Sequence, residues 1–261
     1  MAHASESTPT APRVDGRRWE ELRSSEKFWV SIQPLLLSRG YQLRSRYHPG
    51  WTPSWLQPGG KEVLLCDDSR PTVSRHSKGP TNTDELPILL LLSSPALQAD
   101  PRNCAVPILD VIILPDNDEL AVIVIPMVRD FSDLSFRRSV GEVVEMFEQL
   151  VHFLAFLHEQ NIAHMDFCWF NIMMDGSRMV PKGWHFGDQL SHDGISSGDF
   201  EWLDRWSVRP VQYYVIDFEL SQRMKSKDHP RLFVGSWGQD RSVPEMSSTS
   251  PSDPFKSMST S

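Results

Sequence analysis

The chain has 261 residues, of which 39% are apolar and 23% are charged, and its net charge is −8. A length of this order buries a sizeable core, in one large domain or in two small lobes. The acidic balance argues against a nucleic-acid partner, whose phosphates attract basic surfaces, and against a polybasic membrane anchor.

Cysteine usage and the first residues bear on the cellular compartment. The three cysteines, Cys66, Cys104 and Cys168, are far apart and form no C-x-x-C pair, so neither a zinc site nor a disulfide framework is expected. Residues 1–18 are polar, which predicts a disordered segment rather than a signal peptide. The most apolar run, 86–92, is too short to span a bilayer. We therefore expect a cytoplasmic or nuclear protein that does not contact a membrane.

The N-terminal part of the chain predicts helices and loops. Apolar spacing over residues 19–37 loosely fits a helix, whereas residues 38–55 are rich in Gly, Pro and aromatic residues and predict turns. Residues 66–83 are polar and have no strand pattern, which predicts a loop. Residues 84–97 predict a second helix, which Pro95 ends or kinks.

A hairpin and a long helix follow. The Val- and Ile-rich runs 106–111 and 120–125 predict two buried strands joined by a turn, and Pro126 stops the second strand. The clearest helix is predicted over residues 140–160, where the periodic apolar stripe consists of Val143, Met146, Leu150, Phe153, Leu154 and Leu157.

The rest of the chain is predicted to contain short strands and loops. A short apolar strand at 172–174 precedes residues 178–210, a stretch typical of an insertion. Residues 212–218 predict a strand that ends in an acidic residue, and the chain after Leu220 is predicted to be largely loop.

Two short motifs carry the chemistry. His164, Asp166 and Asn171 form the pattern H-x-D-x-x-x-x-N after the predicted long helix, and Asp217 and Phe218 close the later strand. In this order they make up the protein-kinase signature set. Each residue alone is as well explained as a loop cap or a turn residue. Their joint occurrence in the right order favours the functional interpretation.

The pattern suits phosphoryl transfer. Asp166 would orient the acceptor hydroxyl and accept its proton, while Asn171 and Asp217 would supply the hard oxygen ligands that Mg²⁺ prefers. His164 would stay buried and hydrogen-bonded, as a structural brace of the catalytic loop.

From about residue 28 to residue 256, the chain resembles the kinase-like proteins that are expanded in basidiomycete fungi. Val243-Pro244-Glu245 resembles the Ala-Pro-Glu that closes an activation segment, where Glu245 would pair with an arginine of the large lobe. The other segments that carry the resemblance are 40–55, 92–94, 100–110, 140–144, 163–166, 171–175, 213–218 and 253–256.

The resemblance implies an α+β, protein-kinase-like bilobal fold with ATP and Mg²⁺ bound in the crevice. Residues 19–125 would form a truncated small lobe and residues 126–256 an incomplete helical large lobe, with a tail at 257–261. Glu85 would lie where the family has its helix-C glutamate. The implied partners are a nucleotide and a protein whose identity is open. The hinge that binds adenine through backbone groups would consist of Ile125, Pro126, Met127 and Val128.

Several features of the family are not found. Residues 55–84 contain neither a Gly-rich loop nor a lysine strand, and Met165, Cys168 and Glu219 replace the Arg, Lys and Gly of the family motifs. The helices that normally complete the large lobe are also missing, which would leave an apolar face of the 140–160 helix uncovered.

Three hypotheses follow from this mixture. The first is a Ser/Thr-type protein kinase that uses Mg-ATP, and the second is a pseudokinase or truncated product that acts as a binding module. The third is a small-molecule phosphotransferase, such as a relative of choline or aminoglycoside kinases, against which the Val-Pro-Glu segment speaks. The missing phosphate-binding groups favour low or no transfer activity.

Overall fold

The computed structural model describes residues 13–14, 17–18, 21–52, 72–77, 83–115, 117–132, 139–185, 188–193, 200–225, 232–233, 251, 253 and 255. The chain divides into two compact units, residues 1–69 with 182–200 and residues 70–181 with 201–261. Helices occur together with small sheets, which is compatible with the predicted α+β class. The two lobes, with their boundary between residues 125 and 126, stay a prediction. No helix within the described ranges is both long enough and apolar enough to cross a bilayer.

The first unit contains β1 (Arg13–Val14), β2 (Arg17–Arg18) and α1 (Ser24–Ser38). The two strands pair antiparallel. Helix α1 begins later than the predicted residue 19, because the Glu26 carboxylate accepts a hydrogen bond from the Arg23 backbone N–H at 2.7 Å and so caps the helix there. The rest of the predicted disordered segment, 1–18, lies outside the described residues.

Three strands form the first sheet of the second unit: β3 (Thr72–Ser77), β4 (Asp110–Leu114) and β5 (Asn117–Ile125). Their order is β3–β5–β4, and both pairs are antiparallel. The predicted loop over residues 66–83 is therefore wrong at residues 72–77. This segment lacks the apolar alternation of a half-buried strand, but its backbone pairs with β5 from end to end.

The predicted helix over residues 84–97 is divided into α2 (Glu85–Leu92) and α3 (Pro95–Gln98). The break falls before Pro95, as expected, because proline lacks the N–H that would continue the first helix. The side-chain amide of Asn103 donates to one carbonyl near the end of each helix, at 2.8 and 3.0 Å, so both ends are satisfied by the same residue.

Helix α4 (Val140–Glu159) confirms the predicted helix over residues 140–160. The Ser139 hydroxyl caps it by accepting a hydrogen bond from the Gly141 N–H at 3.1 Å. Most of the predicted apolar stripe faces the core, where Met146, Leu150, Phe153 and Leu157 are buried.

Short strands surround the two sequence motifs: β6 (Arg129–Asp130), β7 (Ile162–Ala163), β8 (Ile172–Met174), β9 (Tyr213–Val215) and β10 (Gln222–Arg223). Strands β6, β8 and β9 form an antiparallel sheet in that order, and β7 pairs with β10. The strand predicted at 172–174 is confirmed, and β10 is a strand in the part predicted to be largely loop. The strand predicted over 212–218 ends at Val215, because Asp217 has a φ of 63° and an extended strand requires negative φ.

The chain segment before β4 connects the two sheets of the second unit. The Val215 N–H donates to the Cys104 carbonyl at 2.7 Å, and the Val106 N–H donates to the Val215 carbonyl at 3.1 Å. These bonds hold residues 104–106 against β9. The first hairpin strand, predicted over 106–111, therefore begins only at Asp110.

The C-terminal part of the predicted insertion, residues 201–210, returns to the second sheet. Its 3₁₀ turn, Arg205–Val208, places the Arg205 side chain in the interior, where its Nη2 donates to the Phe131 carbonyl at 2.7 Å. The neighbouring Trp206 ring lies against Gly141 at the start of α4. Thus the insertion contributes to the packing around the long helix.

We predict that Gly141→Ala destabilises the protein. Alanine is the better helix former by about 1 kcal/mol. However, a Cβ at this position would overlap the Trp206 ring, which would have to move. Overpacking of this kind costs about 1–3 kcal/mol, so we expect a net loss of up to about 2 kcal/mol. Urea unfolding followed by circular dichroism measures it.

The matched control is His152→Ala, at an exposed position of the same helix. Its unfolding midpoint should stay within experimental error of the wild type. A Gly141→Ala variant that is as stable as this control would contradict the packing of Trp206 described here.

Candidate active site

The loop that contains His164 and Asp166 is held at both ends by backbone pairing. Helix α4 leads into β7, which pairs with β10, and the Met224 N–H donates to the Asn161 carbonyl at 2.8 Å. Strand β10 comes just after the Asp217-Phe218 motif in the chain. The pairing therefore brings the two sequence motifs, more than 40 residues apart, to one place in the second unit.

His164 is buried, and its hydrogen bonds define its protonation. Its Nδ1 accepts a bond from the Asp166 N–H at 3.3 Å, and its Nε2 lies 3.2 Å from the Ile216 carbonyl. Because a carbonyl can only accept, Nε2 carries the proton and the ring is neutral. Burial disfavours the charged ring and lowers the pKa of His164 to about 4.

Asn171 holds the Asp166 carboxylate in place. It ends the 3₁₀ turn Trp169–Asn171, and its Nδ2 donates both to the Asp166 carbonyl at 2.9 Å and to Asp166 Oδ2 at 3.1 Å. The backbone carbonyl of Asn171 accepts a hydrogen bond from the Ile216 N–H at 3.0 Å. Both side chains are buried. We call the closed series of bonds through Asp166, His164, Ile216 and Asn171 the His-Asn circuit.

Asp217 follows directly on the His-Asn circuit. In the β8–β9 pair, Ile172 lies opposite Val215, so Asn171 before β8 and Asp217 after β9 come to the same end of the pair. The side chain of Asp217 is exposed. Partial desolvation raises the pKa of Asp217, and the negative charges of Glu219 and Asp166 raise it further. These carboxylates form a region of negative charge next to Asn171.

Phe218 and Ser221 connect the second motif to His164. The fully buried Phe218 ring packs edge-on against the His164 ring, with centroids 4.7 Å apart. The Ser221 hydroxyl donates to the His164 carbonyl at 3.0 Å. Sequence reasoning missed Ser221, since a single serine in a loop gives no signal of such a bond.

The predicted replacement of a lysine by Cys168 has an electrostatic consequence. Burial raises the pKa of the Cys168 thiol, and the negative charge of Asp166 acts in the same direction. The side chain is therefore a neutral thiol at physiological pH. Because residues 164–171 contain no Lys or Arg, this loop supplies no positive charge to the site.

Met165 and Glu219 stand at the other two replaced positions. Met165 has a φ of 67° and is buried, with Phe167 and Leu220 packed around the small cluster that it forms with Ala163. Glu219 is exposed next to Phe218. The predicted Val-Pro-Glu segment, 243–245, lies outside the described residues.

The predicted adenine hinge joins the two sheets of the second unit. Ile125 ends β5, and residues 126–128 are half-buried and lead directly into β6, which pairs with β8. Glu85 is the first residue of α2 and is half-buried. It is not part of the His-Asn circuit.

The predicted magnesium ligands, Asn171 and Asp217, lie at the same end of the β8–β9 pair. Among the described residues, no group of three or more His, Cys, Asp or Glu side chains is placed to hold a metal ion. Mg²⁺, however, is usually held by one or two protein oxygens together with phosphate and water oxygens. Because the Nδ2 of Asn171 donates to Asp166, the Oδ1 of Asn171 and the carboxylate of Asp217 are the two groups that suit such an ion.

Comparison with known proteins adds little to this picture. No family model matches the chain, and no curated protein matches it. Among solved structures, the chain is similar to a chain of the yeast RNA Pol II CTD kinase CTDK-1 complex, with 16% identity and a TM-score of 0.33. The match covers 59% of this chain and 40% of that chain. A TM-score this low does not establish a common fold.

We predict that the buried neutral His164 makes stability depend on pH. Its folded pKa is about 4, against 6.5 for an ordinary histidine, so between these values the unfolded chain binds more protons. The free energy of unfolding is therefore highest above pH 6.5. It falls by about 3 kcal/mol as the pH decreases from 6.5 toward 4. Urea unfolding at a series of pH values measures the loss.

The comparison variants are His164→Asn and His152→Asn. Removing His164 should flatten the profile between the two pKa values, whereas removing the exposed His152 should leave it unchanged. If wild type and His164→Asn have parallel profiles, the loss of stability comes from other groups and the interpretation of His164 is wrong.

Proposed function

We propose that the chain carries a protein-kinase-like, Ser/Thr-type phosphotransferase site that binds ATP with Mg²⁺ and transfers phosphate slowly or not at all. The observation that carries this proposal is the His-Asn circuit together with its position. It fixes a carboxylate, Asp166, beside an amide and a second carboxylate, Asn171 and Asp217. Phosphoryl transfer needs these three groups in one cleft.

The proposed roles follow from the bonds that each group makes. Asp166, held by Asn171, would orient the acceptor hydroxyl and accept its proton. The Asn171 Oδ1 and the Asp217 carboxylate would bind Mg²⁺, and backbone groups of residues 125–128 would contact adenine. His164 would act only as a positioning residue, because both of its ring nitrogens are used in hydrogen bonds to backbone groups of Asp166 and Ile216.

Slow transfer is proposed because the loop that contains Asp166 and Asn171 has no side chain that could neutralise phosphate charge. The loop at 164–171 contributes no cation, and Cys168 is neutral. Glu219 adds negative charge close to Asp217. Stabilisation of the transferring phosphoryl group is usually the largest catalytic contribution, so its loss lowers the rate by orders of magnitude. The same facts support the alternative of a pseudokinase that binds nucleotide or a protein partner without turnover.

The main test of the proposal is nucleotide binding, measured with a fluorescent ATP analogue with and without Mg²⁺. Magnesium should tighten binding in the wild type. Asp217→Asn removes a ligand charge and should reduce the magnesium effect about tenfold. Glu148→Gln, an exposed change of the same kind on α4, should have no effect.

Phosphate transfer to a generic protein acceptor separates the two alternatives. Transfer that falls about a hundredfold or more in Asp166→Asn supports the enzyme. Magnesium-dependent binding without transfer supports the pseudokinase, and transfer only to small amino alcohols supports a small-molecule phosphotransferase. If no nucleotide binds at all, the proposed function is wrong.

A further inference from the structure

Helix α4 has a second apolar face, which does not face the core. Val140, Val144, Phe147 and Val151 are between 56% and 80% exposed. They are separated by four, three and four positions, which places them within an arc of about 60° on a helix that turns about 100° per residue. The centre of this arc lies about 120° around the helix axis from the buried face. We call this set the α4 stripe. A helix with two apolar faces normally has a partner on each.

The C-terminal end of the same face is already covered. His158 lies on the line of the α4 stripe, and the Phe255 ring packs edge-on against it, with centroids 5.1 Å apart. Leu154, also on this side, and Phe255 both pack against the cluster of Ala163 and Met165. This face therefore accepts apolar side chains from outside the helix, and its N-terminal two thirds remain open to solvent.

The N-terminal end of the open part has an aromatic neighbour. Trp206, which lies against Gly141, keeps 42% of its surface exposed. The Arg209 guanidinium lies over its ring at 3.9 Å from the centroid. An exposed tryptophan beside an apolar stripe is typical of the centre of protein interfaces.

The charge around the α4 stripe indicates the kind of partner. Helix α4 contains four glutamates and no lysine or arginine. Of these, Glu148 is exposed. It comes four residues after Val144 and three before Val151, so it lies directly beside the stripe. Of the other three, Glu142 is buried and Glu159 is bonded to Arg102, so a second copy of α4 would bring one more exposed glutamate, its own Glu148, to the contact. Like charges would then oppose the pairing, whereas basic residues would favour it.

We propose that the α4 stripe binds an amphipathic helix of another protein whose apolar seam is flanked by lysine or arginine. The seam covers the valines and Phe147, and the basic residues lie next to Glu148. The surface is distinct from the His-Asn circuit, so it is available whether or not the site transfers phosphate.

The test uses the full chain and two synthetic helical peptides of about 20 residues, the length of α4. One has leucine at the seam positions and lysine beside them, and the other has glutamate in place of each lysine. Fluorescence anisotropy should show that the lysine peptide binds at least about tenfold more tightly than the glutamate peptide, with an affinity that falls as salt is raised.

Surface variants locate the binding. Val144→Ser with Phe147→Ser changes only exposed side chains and should keep the unfolding midpoint while it reduces binding of the lysine peptide about tenfold or more. Glu148→Lys should remove or reverse the preference for the lysine peptide. His152→Ala is the matched control and should bind like the wild type.

Three results would overturn the proposal. Equal binding to the serine double variant would place the peptide elsewhere, for example at the carboxylates near Asp217. Equal affinity for both peptides would show that charge does not select the partner. Concentration-dependent self-association in sedimentation velocity, abolished by the serine double variant, would show that the stripe is covered by a second copy instead.

Discussion

The neutral, buried ring of His164 is the constraint on which the rest of the site depends. One ring nitrogen accepts from the backbone of its own loop, and the other donates to the backbone that leads out of β9. Two chain segments that are far apart in sequence are thereby fixed to the two sides of a single planar group. A charged ring would lose the acceptor at Nδ1, so the geometry of the loop and the absence of charge on the ring require each other.

The remaining bonds extend this constraint to the polar side chains. Asn171 uses its amide nitrogen on Asp166 and its backbone carbonyl on Ile216, so neither Asn171 nor Asp166 can turn independently. Phe218 then packs on the same histidine from the other motif. The result is a preorganised arrangement in which the buried residues are rigid and the exposed carboxylate of Asp217 is the part that remains accessible to solvent.

Sequence reasoning succeeded where a local pattern determines the outcome. The periodicity of α4 and the apolar β8 follow from side-chain spacing, and the order of His164, Asp166 and Asn171 singled out three residues that the fold joins by hydrogen bonds. It failed at residues 72–77, where the strand results from backbone pairing with β5 and its side-chain pattern is irregular. It also missed the contribution of Arg205, because a contact between an insertion and Phe131 depends on the folded path of the chain.

Asp217 occupies the left-handed region of the backbone, and this has a consequence for how such sites are lost over time. Only glycine, asparagine and aspartate adopt that conformation readily. A change to asparagine or glycine would remove the negative charge and leave the turn intact. A lineage can therefore lose the negative charge at this position by one substitution while it keeps the scaffold. Because the backbone conformation by itself also favours aspartate, Asp217 is weaker evidence of past selection for activity than a carboxylate in ordinary backbone geometry would be.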